Sequence, residues 1–203
     1  MDIRSLIAAE RRELVGFLRA LTDEEWETPS LCAGWRVRDV VAHLLYDATS
    51  VPAYVGAIWR ARGSVEAING ALVDRERRTP PARLVDRLEA SIGGGIFSRV
   101  APGSTLADVL VHQQDIRRPL GRLRHVPEEQ LVAVLEKPDP FARPKQYTQG
   151  LRFVATDLDW AGGEGPEVRG PGEALALAMV GRPVVLDELS GDGVPTLRER
   201  MPA

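Results

Sequence analysis

Cysteine is almost missing from this chain. Cys32 stands alone, which excludes an intramolecular disulfide framework and a structural zinc closed by several thiolates. A reducing cytoplasm is the compartment to expect. Histidine is nearly as scarce, with His43, His112 and His125 only. Positive charge is not in excess either: the formal net charge is -3 and the sequence pI is about 5.7. That balance removes the electrostatic reason to expect a nucleic-acid partner. No apolar run approaches the length that spans a bilayer. In "MDIRSLIAAERRELVGFL" charges interrupt the apolar residues every few positions, so this stretch does not read as a signal peptide. No membrane partner is expected.

What is present is enough for a folded core. The 203 residues suit one domain or two small ones, and 44% are hydrophobic. Arginine dominates the cations, and its clusters "RERR" and "IRRPLGRLR" read as solvated faces balanced by acids elsewhere.

The first two-thirds is helical in pattern. Ile3, Leu6, Ile7, Leu14, Phe17, Leu18 and Leu21 follow helical spacing and predict a helix over about residues 3–21. Thr22 and Glu25 are spaced as a capping box for a short helical turn. "TPSLCAGW" is a loop. Val37, Val40, Val41, Leu44 and Leu45 form the apolar side of the next helix, which Pro52 should bend or interrupt. Helix resumes through "YVGAIWRARG" and should stop at Gly63. "SVEAINGALVDRERR" is a weaker helix and "TPPARLVDRLEASI" a stronger one, with prolines at its start. "GGG" at 93–95 is a break. "STLADVLVHQQDIRRPLG" is a long helix with Ser104 or Thr105 as N-cap, and "VPEEQLVAVLE" is the last of the series.

The composition then shifts. "KPDPFARPK" reads as a linker. "GLRFVATDLDW" predicts a strand, "GGEGP" a turn, "EVRG" a short strand and "GPGEALALAMVGR" a helix ending at Gly181. "PVVLDEL" predicts another strand and "VPTLRERM" a final short helix. The expected fold class is mainly α with a small α+β part: a helical bundle over residues 1–140 and a small α+β domain over 146–203.

Asp108 and His112 lie four residues apart on the long helix. Side chains at that spacing project from one side, and Asp115 shares the stripe. His43 sits at the edge of the apolar stripe of its own helix, in the same relation to Val40 and Asp47 as His112 to Val109 and Ile116. Both imidazoles lean towards a seam between helices, where bundles build metal sites. Two imidazoles and one carboxylate make a three-ligand set that leaves a coordination position open, which is the catalytic arrangement. The spacing alone also fits hydrogen-bonded core histidines and a polar helix face. His125, in "GRLRHVPEE", reads as solvated. Cys32, Trp26, Trp35 and Trp59 read as packing residues.

"LTDEEWETPSLCAGWRVRDVVAHLL" resembles the N-terminal signature of the mycothiol-dependent maleylpyruvate isomerase family of actinobacteria. The residues that carry the likeness are Trp26, Cys32, Gly34, Trp35, Val40, His43 and Leu44. "ADVLVHQQDIRRPLG", with Asp108 and His112, resembles the family's second motif. "TDLDWAGGEGPEVRGPGEALALAMVGR" resembles its small C-terminal domain. The resemblance implies a DinB-like metal-binding four-helix bundle followed by a smaller α+β domain. It implies a divalent metal, with zinc the expected ion, held by His43, Asp108 and His112. Asp108 departs from the glutamate of the better-known pattern. An arginine of the C-terminal domain reaches the family's active site, and Arg182 is the match. As a cation at a helix C-terminus, Arg182 also suits the helix dipole.

The implied activity is metal-dependent and mycothiol-using, either S-transfer or isomerisation of a small electrophile. The implied partners are thus a small-molecule thiol and a small electrophile. The alternative is a non-catalytic DinB-like metal-binding protein serving stress response or small-molecule binding. Asp115 reads either as the acceptor that orients an imidazole or as a solvated helix acid. The electrophile and the oligomeric state are not legible in the sequence.

Overall fold

A computed structural model describes residues 2–60, 62 and 64–202. Gly63, the expected stop, lies outside the described residues. The chain divides into two compact units. The first runs up to Thr105 and takes in His112–Leu123; the second comprises Leu106–Val111 and the chain from Arg124 onward.

Among the described residues the regular elements of the first unit are helices. Helix α1 (Ile3–Leu18) buries Leu6, Ile7, Leu14, Val15 and Leu18 on one side. Thr22 and Glu25 form the expected capping box at the start of α2 (Asp23–Trp26). Helix α3 (Val37–Leu44) buries Val37, Val40, Val41 and Leu44, and a 3-10 turn, Leu45–Ala48, follows it. The break expected around Pro52 comes just before it, so Pro52 sits in the first turn of α4 (Val51–Arg60). There its missing N–H costs nothing. Helix α5 (Val65–Glu76) and helix α6 (Pro81–Ala90) pack on α3, and α6 also packs on α1. After the glycine break comes α7 (Ile96–Val100).

Helix α8 (Pro102–Arg117) contributes residues to both units. It begins earlier than the expected Ser104 or Thr105 cap. Ala101 is the N-cap, and Pro102 supplies a first-turn φ already set for a helix. The Thr105 hydroxyl instead donates back to the Ala101 carbonyl at 3.1 Å.

A buried ion pair braces the first unit. The Arg11 guanidinium donates to Asp47 at 2.8 Å and to the Ser91 carbonyl at 2.7 Å, with both charged side chains fully buried. Asp47 also accepts from the backbone N–H groups of Gly95 (3.0 Å), Phe97 (2.7 Å) and Ser98, and from the Ser98 hydroxyl. It thereby caps α7 from across the fold. A Cβ on Gly95 would sit 1.9 Å from the Asp47 carbonyl oxygen, so this approach needs glycine. Burial pushes the Asp47 carboxyl up. The bonds from Ser98 and Arg11, the Arg11 charge and the Gly95 N–H outweigh it and hold the carboxyl below its ordinary range.

In the second unit α9 (Glu128–Glu136) packs on a later helix, α11 (Gly172–Ala178). That contact groups α9 with the C-terminal residues, whereas the sequence pattern puts the linker after it. The linker stretch itself holds a 3-10 turn, Pro140–Ala142, and leads into α10 (Lys145–Thr148). Three strands follow: β1 (Arg152–Ala155), β2 (Ala161–Gly163) and β3 (Glu167–Gly170). β1 lies between the others, antiparallel to β2 and parallel to β3, with Phe153 opposite Gly162 and Val168. Two glycines expected in a turn are thus strand residues, and the Trp160 ring occupies the space a Cβ on Gly162 would take.

Helix α11 (Gly172–Ala178) ends as expected at Gly181, which has φ +80°. The Gly181 N–H donates to Ala178 and the Arg182 N–H to Leu177, the paired bonds of a left-handed glycine cap. "PVVLDEL" is not a strand. It is a 3-10 segment, Pro183–Glu188, in which the neighbours Val185 and Leu186 are both buried. A strand would send them to opposite faces. Helix α12 (Val194–Arg200) closes the unit. The fold is mainly α with a small α+β part, as the sequence pattern indicates. Among the described residues no helix is long and apolar enough to cross a membrane.

Candidate metal centre

His43 lies near the end of α3, buried, and its position follows from the loop that precedes the helix. Ser30 N–H donates to the Trp35 carbonyl at 2.8 Å, and Trp35 N–H to the Cys32 carbonyl at 2.9 Å. Gly34 turns the chain with φ +76°. The Arg36 N–H then bonds the Asp39 carboxylate at 3.0 Å, starting the helix. His43 ends up between aromatic rings, with centroids 5.4 Å from Trp35 and 5.8 Å from Tyr46.

His112 comes from α8. Its ring meets that of His43 edge to face, with centroids 4.8 Å apart. Asp108 is fixed relative to His112 by the one helical turn that joins them. One ligand atom from each of His43, Asp108 and His112 lies within 4.8 Å of the others. The three ligand candidates singled out in the sequence therefore converge. The donor set is two imidazoles and a carboxylate, which suits a borderline ion such as zinc.

A layer of side chains behind His112 was harder to foresee. Its Nδ1 lies 2.9 Å from Oδ2 of Asp115, whose side chain is fully buried. Asp115 is thus not the solvated helix acid that one reading made it. A carboxylate only accepts, so Nδ1 carries the proton and Nε2 the lone pair. The Cys32 thiol donates to the same carboxylate oxygen at 3.2 Å, with Sγ 3.5 Å from His112 Nδ1. The Asp115 carbonyl accepts from Leu31 N–H at 3.0 Å. Cys32 therefore does more than pack. The one hint in the sequence was Asp115 on the stripe of His112; nothing local placed Cys32 beside them. Cys32, His112 and Asp115 also form a compact donor group, but there His112 Nδ1 is already engaged by Asp115.

Other residues stand elsewhere. Arg182 lies in the second unit, half-buried, just after Gly181, and its guanidinium donates to the Val180 carbonyl at 3.3 Å. That contact matches a cation placed at a helix C-terminus. His125 is exposed in a loop, as expected. Trp26 is buried, but Trp59 is 85% exposed and is no core residue. Arg117, in a cluster expected to be solvated, is buried. Its guanidinium lies 3.8 Å over the Phe17 ring and pairs with Glu13.

These features define a mainly helical protein with a histidine–carboxylate donor cluster at a helix seam. Residues 7–94 match the family described as mycothiol maleylpyruvate isomerase N-terminal domain, the family whose motifs the sequence resembles. Two solved structures share the fold, each with a TM-score of 0.63 over 94% of this chain and 91% of theirs. Both are crystal structures of the mycothiol-dependent maleylpyruvate isomerase. One, at 15% identity, is a histidine-to-alanine mutant; the other is 16% identical. No curated protein sequence matches.

Proposed function

We propose that this protein is a metal-dependent enzyme that uses mycothiol as thiol cosubstrate and acts on a small electrophile, by isomerisation or S-transfer. The convergence of His43, Asp108 and His112 within 4.8 Å carries the reading. The domain family of residues 7–94 and the fold likeness support its thiol. A divalent ion held by these residues, zinc in the first instance, supplies the positive charge that lowers a thiol's pKa and favours the thiolate nucleophile.

The chain's own residues do the rest. His43 and His112 offer imidazole nitrogens, and Asp108 offsets positive charge. Asp115 holds the proton of His112 on Nδ1, leaving Nε2 as the donor. Trp35 and Tyr46 flank His43 and limit water at its ring. Arg182 is assigned to a carboxylate of the electrophile, a group its planar fork suits.

The test is metal analysis of tag-free protein and its His112→Ala variant, alongside thiol-dependent loss of an electrophile such as maleylpyruvate. Metal in the wild type, its loss in the variant, and turnover only with mycothiol are expected. Full metal occupancy in His112→Ala overturns the site. Bound metal without turnover leaves a metal-binding protein.

A further inference from the structure

A second site lies in the first unit, built without any of the metal-centre residues. Helix α1, the turn at Ile92–Gly94 and α7 enclose an open cavity of about 390 Å³. Ile7, Ala8 and Ile92 give it apolar walls, and Arg4, Arg12 and Arg99 stand around it. In a chain of net charge -3 this concentration of cations is local and one-signed. Among the described residues, none of these three guanidinium groups forms an ion pair or hydrogen bond. The other arginines near α1 are engaged: Arg11 with Asp47, Arg19 with Glu89 and Arg117 with Glu13.

We infer that this cavity binds a small organic anion with an apolar body: a carboxylate, sulfonate or phosphate ester. Three like charges around one cavity repel one another, and an anion relieves that repulsion. Arg4 and Arg12 are eight residues apart on α1, so they share a face about 12 Å apart along the axis. Ala8 lies midway between them. A bare inorganic anion would meet one end of this cavity and leave the apolar walls wet. An anionic head with an aliphatic or aromatic body satisfies both the guanidinium groups and the walls, and the volume is of ligand size.

The probe is 8-anilinonaphthalene-1-sulfonate, followed by fluorescence and calorimetry with the full chain. Saturable binding at one site is expected. Arg12→Glu with Arg99→Glu should weaken it at least tenfold without lowering the melting temperature, because neither side chain holds a partner and their mutual repulsion is removed. Gly93→Leu probes the location independently of charge. Gly93 lines the cavity, its φ is not positive and a Cβ there meets nothing within 4 Å, so the leucine fills space without strain. It should also reduce binding at least tenfold. The neutral analogue lacking the sulfonate should bind at least tenfold more weakly, and inorganic phosphate should not compete at equal concentration. Wild-type affinity in the double variant, or equal affinity for the neutral analogue, overturns the site. Phosphate competing at equal concentration overturns the apolar-bodied ligand. None of these measurements depends on the metal centre.

Discussion

His112 and Asp115 sit less than one turn apart on α8, joined by a 2.9 Å hydrogen bond from ring Nδ1 to a carboxylate with no solvent exposure. The bond fixes both the tautomer and the plane of the imidazole. A metal-ligating histidine usually donates its second ring nitrogen to such a partner. Asp115→Asn removes the charge and keeps the shape. It should weaken divalent-metal affinity about 10–100-fold, measured by competition against a chromogenic chelator. Circular dichroism should show the helices intact. An unchanged affinity in a folded variant would mean that Asp115 only pins the Cys32 loop.

The Arg11–Asp47 pair makes a stability prediction. Asp47→Asn leaves the Arg11 guanidinium buried without its counter-charge, a loss of about 3–5 kcal/mol. Urea denaturation at pH 7 should show it. The pH dependence has a definite sign. The folded carboxyl titrates below its ordinary value, so the pair's stabilisation is complete above the unfolded value of about 3.9. It is lost as pH falls through the folded value. The gap between wild type and Asp47→Asn should therefore narrow below about pH 3.9. A gap that stays constant down to pH 2 would show that the charge is not the stabilising element.

Gly95→Ala strikes the same network from the backbone side. Its Cβ would meet the Asp47 carbonyl oxygen at 1.9 Å, and backbone cannot rotate away as a side chain can. A loss of at least about 1–3 kcal/mol is expected from the forced shift. Gly93→Ala, where nothing lies within 4 Å, should cost far less. Equal melting temperatures for the two variants would contradict the packing described.

Local pattern carried much of this structure, and long-range pairing carried the remainder. The helices of the first unit were legible because Leu6, Leu14 and Leu18, and likewise Val37, Val40, Val41 and Leu44, recur at helical spacing. His43 and His112 were legible because each sits at the edge of such a stripe. "PVVLDEL" misled because its valines follow a proline as a strand's might, whereas Val184 is exposed and the adjacent Val185 and Leu186 are both buried in a 3-10 turn. Arg117 misled because burial of an arginine depends on distant partners, here Phe17 and Glu13. The contact of Cys32 with Asp115 was illegible for the same reason: it exists only once the Ser30–Trp35 turn is closed against α8. The substrate role proposed for Arg182 comes from the sequence resemblance and not from its hydrogen bond to the Val180 carbonyl.

The thiol proposal makes the last prediction. The donor set His43, Asp108 and His112 leaves a coordination position open, and no side chain of the cluster supplies a nucleophile. Cys32 is committed to Asp115. A thiol suits a borderline-soft ion, and it binds as thiolate with release of a proton. Apparent mycothiol affinity should therefore rise with pH until the free thiol's own pKa is passed. Cobalt-substituted protein offers the direct readout, because thiolate ligation adds a charge-transfer absorption. That band should grow to saturation with mycothiol, persist in Cys32→Ser and vanish in His112→Ala. A band already present without mycothiol and lost in Cys32→Ser would instead place the ion on Cys32, His112 and Asp115. A spectrum unmoved by saturating mycothiol would leave the thiol without a place at the metal, and the protein would be better read as a binder of metal alone.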